Sequence, residues 1–282
     1  MTSLPIEIKL IPLWFILLIL SHLIPFFSSY ENLLYLQCFF LVTVGIFHGA
    51  YDLHFACLTK KIKTKPQLTF FVTQYVLQAT FFCLFWLQFP NLGLIIFFLV
   101  ACLHFGFDWE VCDSKRYCII FGYSILAISF FTHPDTTTNL MNTLLPTLSP
   151  KLINLITKFV PITFMIGLWI CLSKRDMYSL ITWGSFMILG SLFSPLTFFT
   201  IYFCGYHSLK HINQMRDRLC HVHNSDLVAF VIWAISLAVL LGTYITLHET
   251  IHIYPLMTYF IILAGLTVPH MWLHLTKSVK TA

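Results

Sequence analysis

The chain has 282 residues, of which 58% are hydrophobic and only 10% charged, with a formal net charge of +5. Soluble domains run at about half apolar and about a quarter charged, so this surface cannot be that of an ordinary water-soluble domain. The wealth of aromatics also excludes disorder. The basic residues fall in short tracts between apolar runs, the pattern of membrane loops, so no nucleic-acid partner is expected.

The apolar runs cover about 10–28, 33–57, 67–89, 92–109, 117–132, 152–172, 178–193, 197–213, 227–247 and 254–275. Each is continuous and does not alternate with period two, which predicts helices, because lipid cannot satisfy an open backbone. The first run is followed by no small-x-small cleavage site and reads as a span, not a leader. Lys60, Lys61, Lys63 and Lys65 follow the second run, Lys115 and Arg116 the fourth, Lys174 and Arg175 the sixth, Arg216 and Arg218 the eighth, and Lys277 and Lys280 the tenth. With ten helices every one of these basic tracts falls on one side, and the positive-inside rule then places both termini in the cytoplasm. The expected fold is therefore an all-α, polytopic transmembrane bundle of about ten helices. It forms a single integral-membrane domain over 1–282, multi-pass in the cell membrane. The seventh and eighth runs are separated only by Ser194-Pro195 and read equally as one broken element or two. The Thr-, Asn- and Pro-rich stretch 133–151 reads as an external connection. The nine cysteines form no CxxC pair, and most lie inside apolar runs, where thiols act as small hydrophobes.

Thirteen histidines are many for such a chain. An ionisable side chain inside a bilayer is costly and marks a site or a partnered interior position. His48 lies in the second run within Gly-Ile-Phe-His-Gly-Ala-Tyr-Asp, and His104 in the fourth within His-Phe-Gly-Phe-Asp. His207 and His211 lie in the eighth, and His270 and His274 in the tenth after Pro269. Under the orientation above, all four helices run inward and carry these imidazoles toward their cytoplasmic ends. His207 and His211, spaced i, i+4, share a helix face with Cβ atoms about 5–6 Å apart and are suited to chelate one ion. His48 and His104 would complete a four-imidazole metal site. Taken singly, each is as readily a core histidine bonded to a backbone carbonyl. Asp52 and Asp108 each follow a histidine by four residues. They read equally as carboxylate acceptors for the ligands' second N–H and as helix-end markers. Gly45, Gly49, Ala50, Gly106, Gly205 and Ser208 flank the histidines and are expected to serve close helix packing.

The segments Phe47-His48-Gly49-Ala50-Tyr51-Asp52, His104-Phe105-Gly106, Tyr202 to His211 and Pro269-His270-Met271 resemble the Brp/Blh family, in the same order and with similar spacing. That family comprises membrane enzymes that cleave β-carotene centrally into two molecules of retinal. The resemblance implies Fe(2+) on His48, His104, His207 and His211, with His270 near the metal but not on it. It also implies O2 and β-carotene or a related carotenoid as substrates, reached from membrane lipid, and hand-over of retinal to a rhodopsin. Phe47 stands where the pattern has proline, and Lys210 where arginine is common. Three other readings compete. A haem-binding electron carrier would use the same imidazoles as axial ligands. A di-iron desaturase would carry His-His pairs, and the sequence has none. A transporter would carry polar groups through the whole bilayer depth, whereas here they concentrate at one side.

Overall fold

The computed structural model describes residues 30–59, 62–109, 111, 114–144, 150–219, 222, 224–251 and 255–278. The first apolar run, Lys60, Lys61 and Lys280 lie outside them. Among the described residues every regular element is helical. In chain order these are α1 (Tyr30–Phe40), a π-helical segment (Leu41–Gly45), a 3₁₀ turn (His48–Tyr51) and α2 (Asp52–Thr59). They are followed by α3 (Lys65–Gln88), α4 (Pro90–Gly106), α5 (Lys115–Thr132), α6 (Pro134–Leu144), α7 (Pro150–Lys158), α8 (Val160–Ser173) and α9 (Met177–Leu192). Last come α10 (Pro195–Thr200), a second π-helical segment (Ile201–Ser208), α11 (Leu209–Leu219), α12 (Ser225–Ile251) and α13 (Pro255–Ser278).

Local chemistry sets many of these boundaries. Thr64 opens α3 with a capping box: Gln67 N–H donates to Thr64 Oγ1 at 3.4 Å, and Thr64 N–H donates to Gln67 Oε1 at 3.3 Å. Between α8 and α9, Arg175 takes a positive φ of 55°, Arg175 N–H donates to the Leu172 carbonyl and Asp176 N–H to the Cys171 carbonyl. That is the Schellman closure of a helix end. Asp176 then caps α9, accepting from Ser179 N–H at 2.9 Å and from Ser179 Oγ at 2.7 Å. The seventh and eighth apolar runs are separate helices: Phe193 leaves α9 in an extended conformation, and Pro195 starts α10.

Leu33–Thr59, Lys65–Gln88, Ile153–Ser173 and Ser225–Gly242 are long and apolar enough to cross a membrane. A fifth span results if α5 and α6 count as one, although they meet at a 106° bend. Pro90–Gly106 and Met177–Leu192 are shorter apolar helices. Phe70, Leu77, Phe81 and Leu84 stand exposed at helical spacing along α3, as do Leu227, Val231, Ile235 and Val239 along α12. An apolar stripe left outward in this way matches a lipid-facing wall. The stretch expected to be an external connection instead contains α6. Its Thr137, Met141 and Leu144 are buried at i, i+4, i+7, so one face packs inward despite the polar composition.

The described chain forms two compact units. One joins residues up to Leu58 with Phe199–Val239, and the other joins Thr59–Phe198 with residues from Leu240 onward. In the first unit the two π-helical segments pack together, and α11 lies against the 3₁₀ turn. A Cβ on Gly45 would lie 2.7 Å from Phe203 Cε1, so the two segments meet across a bare glycine. In the second unit α5 packs on α4, α8 and α9, and α13 packs on α3. Here the contact is backbone on backbone. A Cβ on Gly106 would strike the Cys118 carbonyl, and one on Gly122 would strike the Cys102 carbonyl. Phe82 and Trp86 of α3 meet Ile261 and Ala264 of α13 in a buried apolar cluster. The described cysteines are free thiols.

Candidate metal centre

In the first unit, His48 starts the 3₁₀ turn, His207 lies in the second π-helical segment, and His211 lies in α11. The His48 ring centroid is 5.3 Å from that of His207 and 5.5 Å from that of His211. Both rings of the i, i+4 pair thus lie close to the His48 ring. His48 is 7% exposed and His207 2%.

The π-helical geometry arranges the rings around them. Phe199, Phe203 and His207 form a ladder of parallel rings, with centroids 5.3 Å and 5.7 Å apart and planes inclined by 9° and 13°. His48 stands edge-on to this ladder, at 90° to Phe203 and 79° to His207. Such rings fix each other's planes and fill the space that water would need. His48 Nδ1 donates to the Gly45 carbonyl, and Ser208 Oγ lies 3.4 Å from the same nitrogen. With Nδ1–H so engaged, the ring presents the Nε2 lone pair, the form a metal ion requires. A backbone carbonyl thus fills, at this atom, the orienting role that one of the two readings gave to Asp52. Asp52 itself opens α2 and is buried.

Below the histidines a polar network ties the unit together. Tyr51 Oη donates to Asp226 Oδ1 at 2.7 Å, and Arg216 Nη2 lies 3.1 Å from Asp226 Oδ2. Trp233 Nε1 donates to the Thr43 carbonyl at 3.1 Å. Lys210, where arginine is common in the resembled pattern, is buried with its Nζ 5.5 Å from the Tyr206 ring centroid. Phe47, where that pattern has proline, packs edge-on against Tyr51 and Trp233.

In the second unit, His104 lies in the last turn of α4, and His270 and His274 lie one turn apart on α13. The His104 and His270 ring centroids are 5.0 Å apart, and those of His270 and His274 are 4.6 Å apart. Asp108 occupies the turn after α4, is buried, and donates its N–H to the Phe105 carbonyl at 3.2 Å. It is thus both a helix-end residue and a buried carboxyl group. His274 had no role in the sequence reading, although its i, i+4 spacing from His270 is the same signal that selected His207 and His211.

Within the first unit, His48 and His207 offer ring nitrogens within 4.8 Å of each other, close enough to reach one transition-metal ion. With metal–nitrogen bonds of about 2.1 Å and about 1.1 Å more to the ring centre, two imidazoles on one ion have centroids about 4.5 Å apart at a right angle and about 5.2 Å apart at a tetrahedral angle. The observed 5.3 Å and 5.5 Å fall just beyond the tetrahedral value. Buried neutral imidazoles suit iron, zinc or copper rather than magnesium or calcium.

A family model described as beta-carotene 15,15'-dioxygenase matches residues 39–276, a segment that holds all six of these histidines. A curated protein of an uncultured marine bacterium, 66A03, named beta-carotene 15,15'-dioxygenase, is 28% identical over 247 residues. The match covers 82% of this chain and 89% of that protein. No solved structure matches.

Proposed function

Because the chain belongs to the beta-carotene 15,15'-dioxygenase family, we propose that it is an Fe(2+)-dependent enzyme that cleaves β-carotene at its central double bond. The observation that carries this reading is the His48, His207 and His211 group inside the matched segment. His48, His104, His207 and His211 are the metal ligands on this reading, and Asp52, Asp108 and His270 support them. The reaction breaks the central carbon–carbon double bond and forms two carbonyl groups, consuming one O2 and giving two molecules of retinal. Bound Fe(2+) supplies the electrons that let dioxygen react with a closed-shell polyene.

The protein's share is orientation and exclusion of water. The Gly45 carbonyl holds the His48 tautomer, and the Phe199–Phe203–His207 ladder keeps the ring planes fixed before any substrate arrives. No side chain has to act as nucleophile or general base. A lipophilic polyene reaches the site from the bilayer, and a rhodopsin is the partner we infer for the retinal released there. We further infer one catalytic membrane domain over both units, multi-pass in the cell membrane, with ten spans and both termini in the cytoplasm.

Expression of the chain in bacteria that make β-carotene tests the reading. Loss of orange colour with accumulation of retinal is expected. Unchanged β-carotene, with folded and iron-loaded protein in the membrane, would overturn it. His207→Ala is expected to abolish cleavage while leaving membrane insertion intact.

A further inference from the structure

The segment that carries His48 changes its hydrogen-bond register twice between Leu41 and Tyr51, through the π-helical stretch and the 3₁₀ turn. A regular α-helical ladder therefore does not fix the height and rotation of His48, and packing from outside has to. Helix α12 grips this segment on both sides of the histidine. Trp233 Nε1 donates to the carbonyl of Thr43, before His48, at 3.1 Å. Tyr51 Oη, after His48, donates to Asp226 Oδ1 at 2.7 Å. Asp226 and Trp233 lie two turns apart on one face of α12, about 10 Å along its axis. The lower-numbered hold on α12 meets the higher-numbered residue of the segment, so the two run antiparallel with His48 between the holds. Phe47, next to His48, stands edge-on to Trp233 at 6.2 Å and to Tyr51 at 5.8 Å.

We propose that α12 is a brace for the metal centre, with Trp233 and Asp226 as positioning residues that set His48 through its own segment. The inference rests on the metal-dependent reading above and adds what holds one of its ligands in place. The link is short. The Thr43 carbonyl held by Trp233 lies one turn or less from the Gly45 carbonyl, which accepts from His48 Nδ1. A shift of the segment at Thr43 moves that carbonyl, and the imidazole moves with it. At the other hold, Asp226 Oδ2 also meets Arg216 of α11, the helix that bears His211, at 3.1 Å. Both of those side chains are more than half exposed, so the ion pair adds little, and the Tyr51 and Trp233 donors carry the brace. Hydrogen bonds with a merely structural role would stabilise the fold without setting the geometry around the ion.

Full-length protein purified in detergent and loaded anaerobically with Co(2+), whose ligand-field absorption follows the arrangement of its ligands, separates the cases. Trp233→Phe keeps a ring against Phe47 and removes the N–H, and Tyr51→Phe removes only the O–H. Each alone is expected to shift the Co(2+) band while saturated protein keeps its metal content, because the other hold remains. Together they are expected to weaken Co(2+) binding about tenfold, the scale of losing a group that orients a ligand. In iron-loaded protein acting on β-carotene, the pair should lower kcat and leave KM nearly unchanged. Thr64→Ala, which opens the capping box of α3, is the control: a lower melting temperature with an unshifted band. An unshifted band and unaltered affinity in the double variant would overturn the brace and leave the proposed function standing. So would an equal shift in Thr64→Ala, since the band would then report stability alone. No Co(2+) bound by the folded, unaltered protein would overturn both. Should the double variant fail to fold, Trp233→Phe alone decides, and a band identical to that of the unaltered chain removes α12 from the positioning of His48.

Discussion

The two units solve the same problem, holding imidazoles inside an apolar bundle, by different means. In the first, the helices carrying His48 and His207 depart from α geometry, and what fills the close approach at Gly45 is the rim of the Phe203 ring. In the second, α4 and α5 are regular helices whose glycines bring backbone directly onto backbone at Gly106 and Gly122. A ring can swing by a few tenths of an ångström, whereas a helix backbone cannot. The first unit is therefore tunable around its histidines, and the second is rigid beneath His104.

Substitution at the glycines is the sharpest way to break this contrast. Gly122→Leu should be the most damaging, because its side chain would enter the Cys102 carbonyl, and a Cβ there would lie 2.8 Å from Gly106 N. A loss of about 3 kcal/mol or more is expected, since overpacking against an immovable wall exceeds the usual range. It should appear as failure to accumulate folded protein by size-exclusion chromatography. Gly45→Ala is milder, about 1–3 kcal/mol by thermal unfolding, because Phe203 can yield. It should nevertheless weaken metal binding, since Phe203 stacks on His207 and abuts His48. Wild-type stability in Gly122→Leu, or unaltered metal affinity in Gly45→Ala, would erase the distinction.

Smaller effects sharpen it. Tyr51→Phe removes a hydrogen bond to Asp226, a carboxylate whose side chain is 56% exposed and can turn to water instead. The cost should be about 1 kcal/mol, with metal content unchanged. Gly184→Ala in α9 meets nothing within 4 Å. It should stabilise the protein by about 0.5–1 kcal/mol through helix propensity alone, a modest rise in melting temperature. A destabilisation there would mean that the second unit is tight throughout and not only at α4 and α5.

The sequence made the site more legible than its support. Histidines are expensive in apolar runs, and the spacing of His207 and His211 follows from helix geometry, so the first-unit cluster could be anticipated from those residues. The pairing of His104 with His270 could not, because it depends on how α4 and α13 meet. The Gly45 carbonyl that holds His48 was invisible because every residue has a carbonyl. The two π-helical segments have no compositional mark: Leu-Val-Thr-Val-Gly and Ile-Tyr-Phe-Cys-Gly-Tyr-His-Ser read as ordinary apolar helix. Helix α6 was hidden behind its Thr and Asn content, although the spacing of Thr137, Met141 and Leu144 carried the signal. Ser194-Pro195 marked a break between α9 and α10 but suited one broken element as well as two helices.

A π-helical stretch arises when an α-helix absorbs an extra residue without shifting the chain beyond it. The stretch Ile201–Ser208 therefore works as a phase adjuster between the wall formed by Phe199 and the downstream helix that bears His211. Excision of one residue there would let the wide turn close to a uniform screw without turning the chain beyond it, whereas excision from the regular helix that follows would rotate everything downstream by about 100°. Only the second change would turn His211 away from His48, with its chemistry unchanged. For this chain, the placement of single-residue insertions and deletions constrains the active centre as strictly as the identity of its ligands.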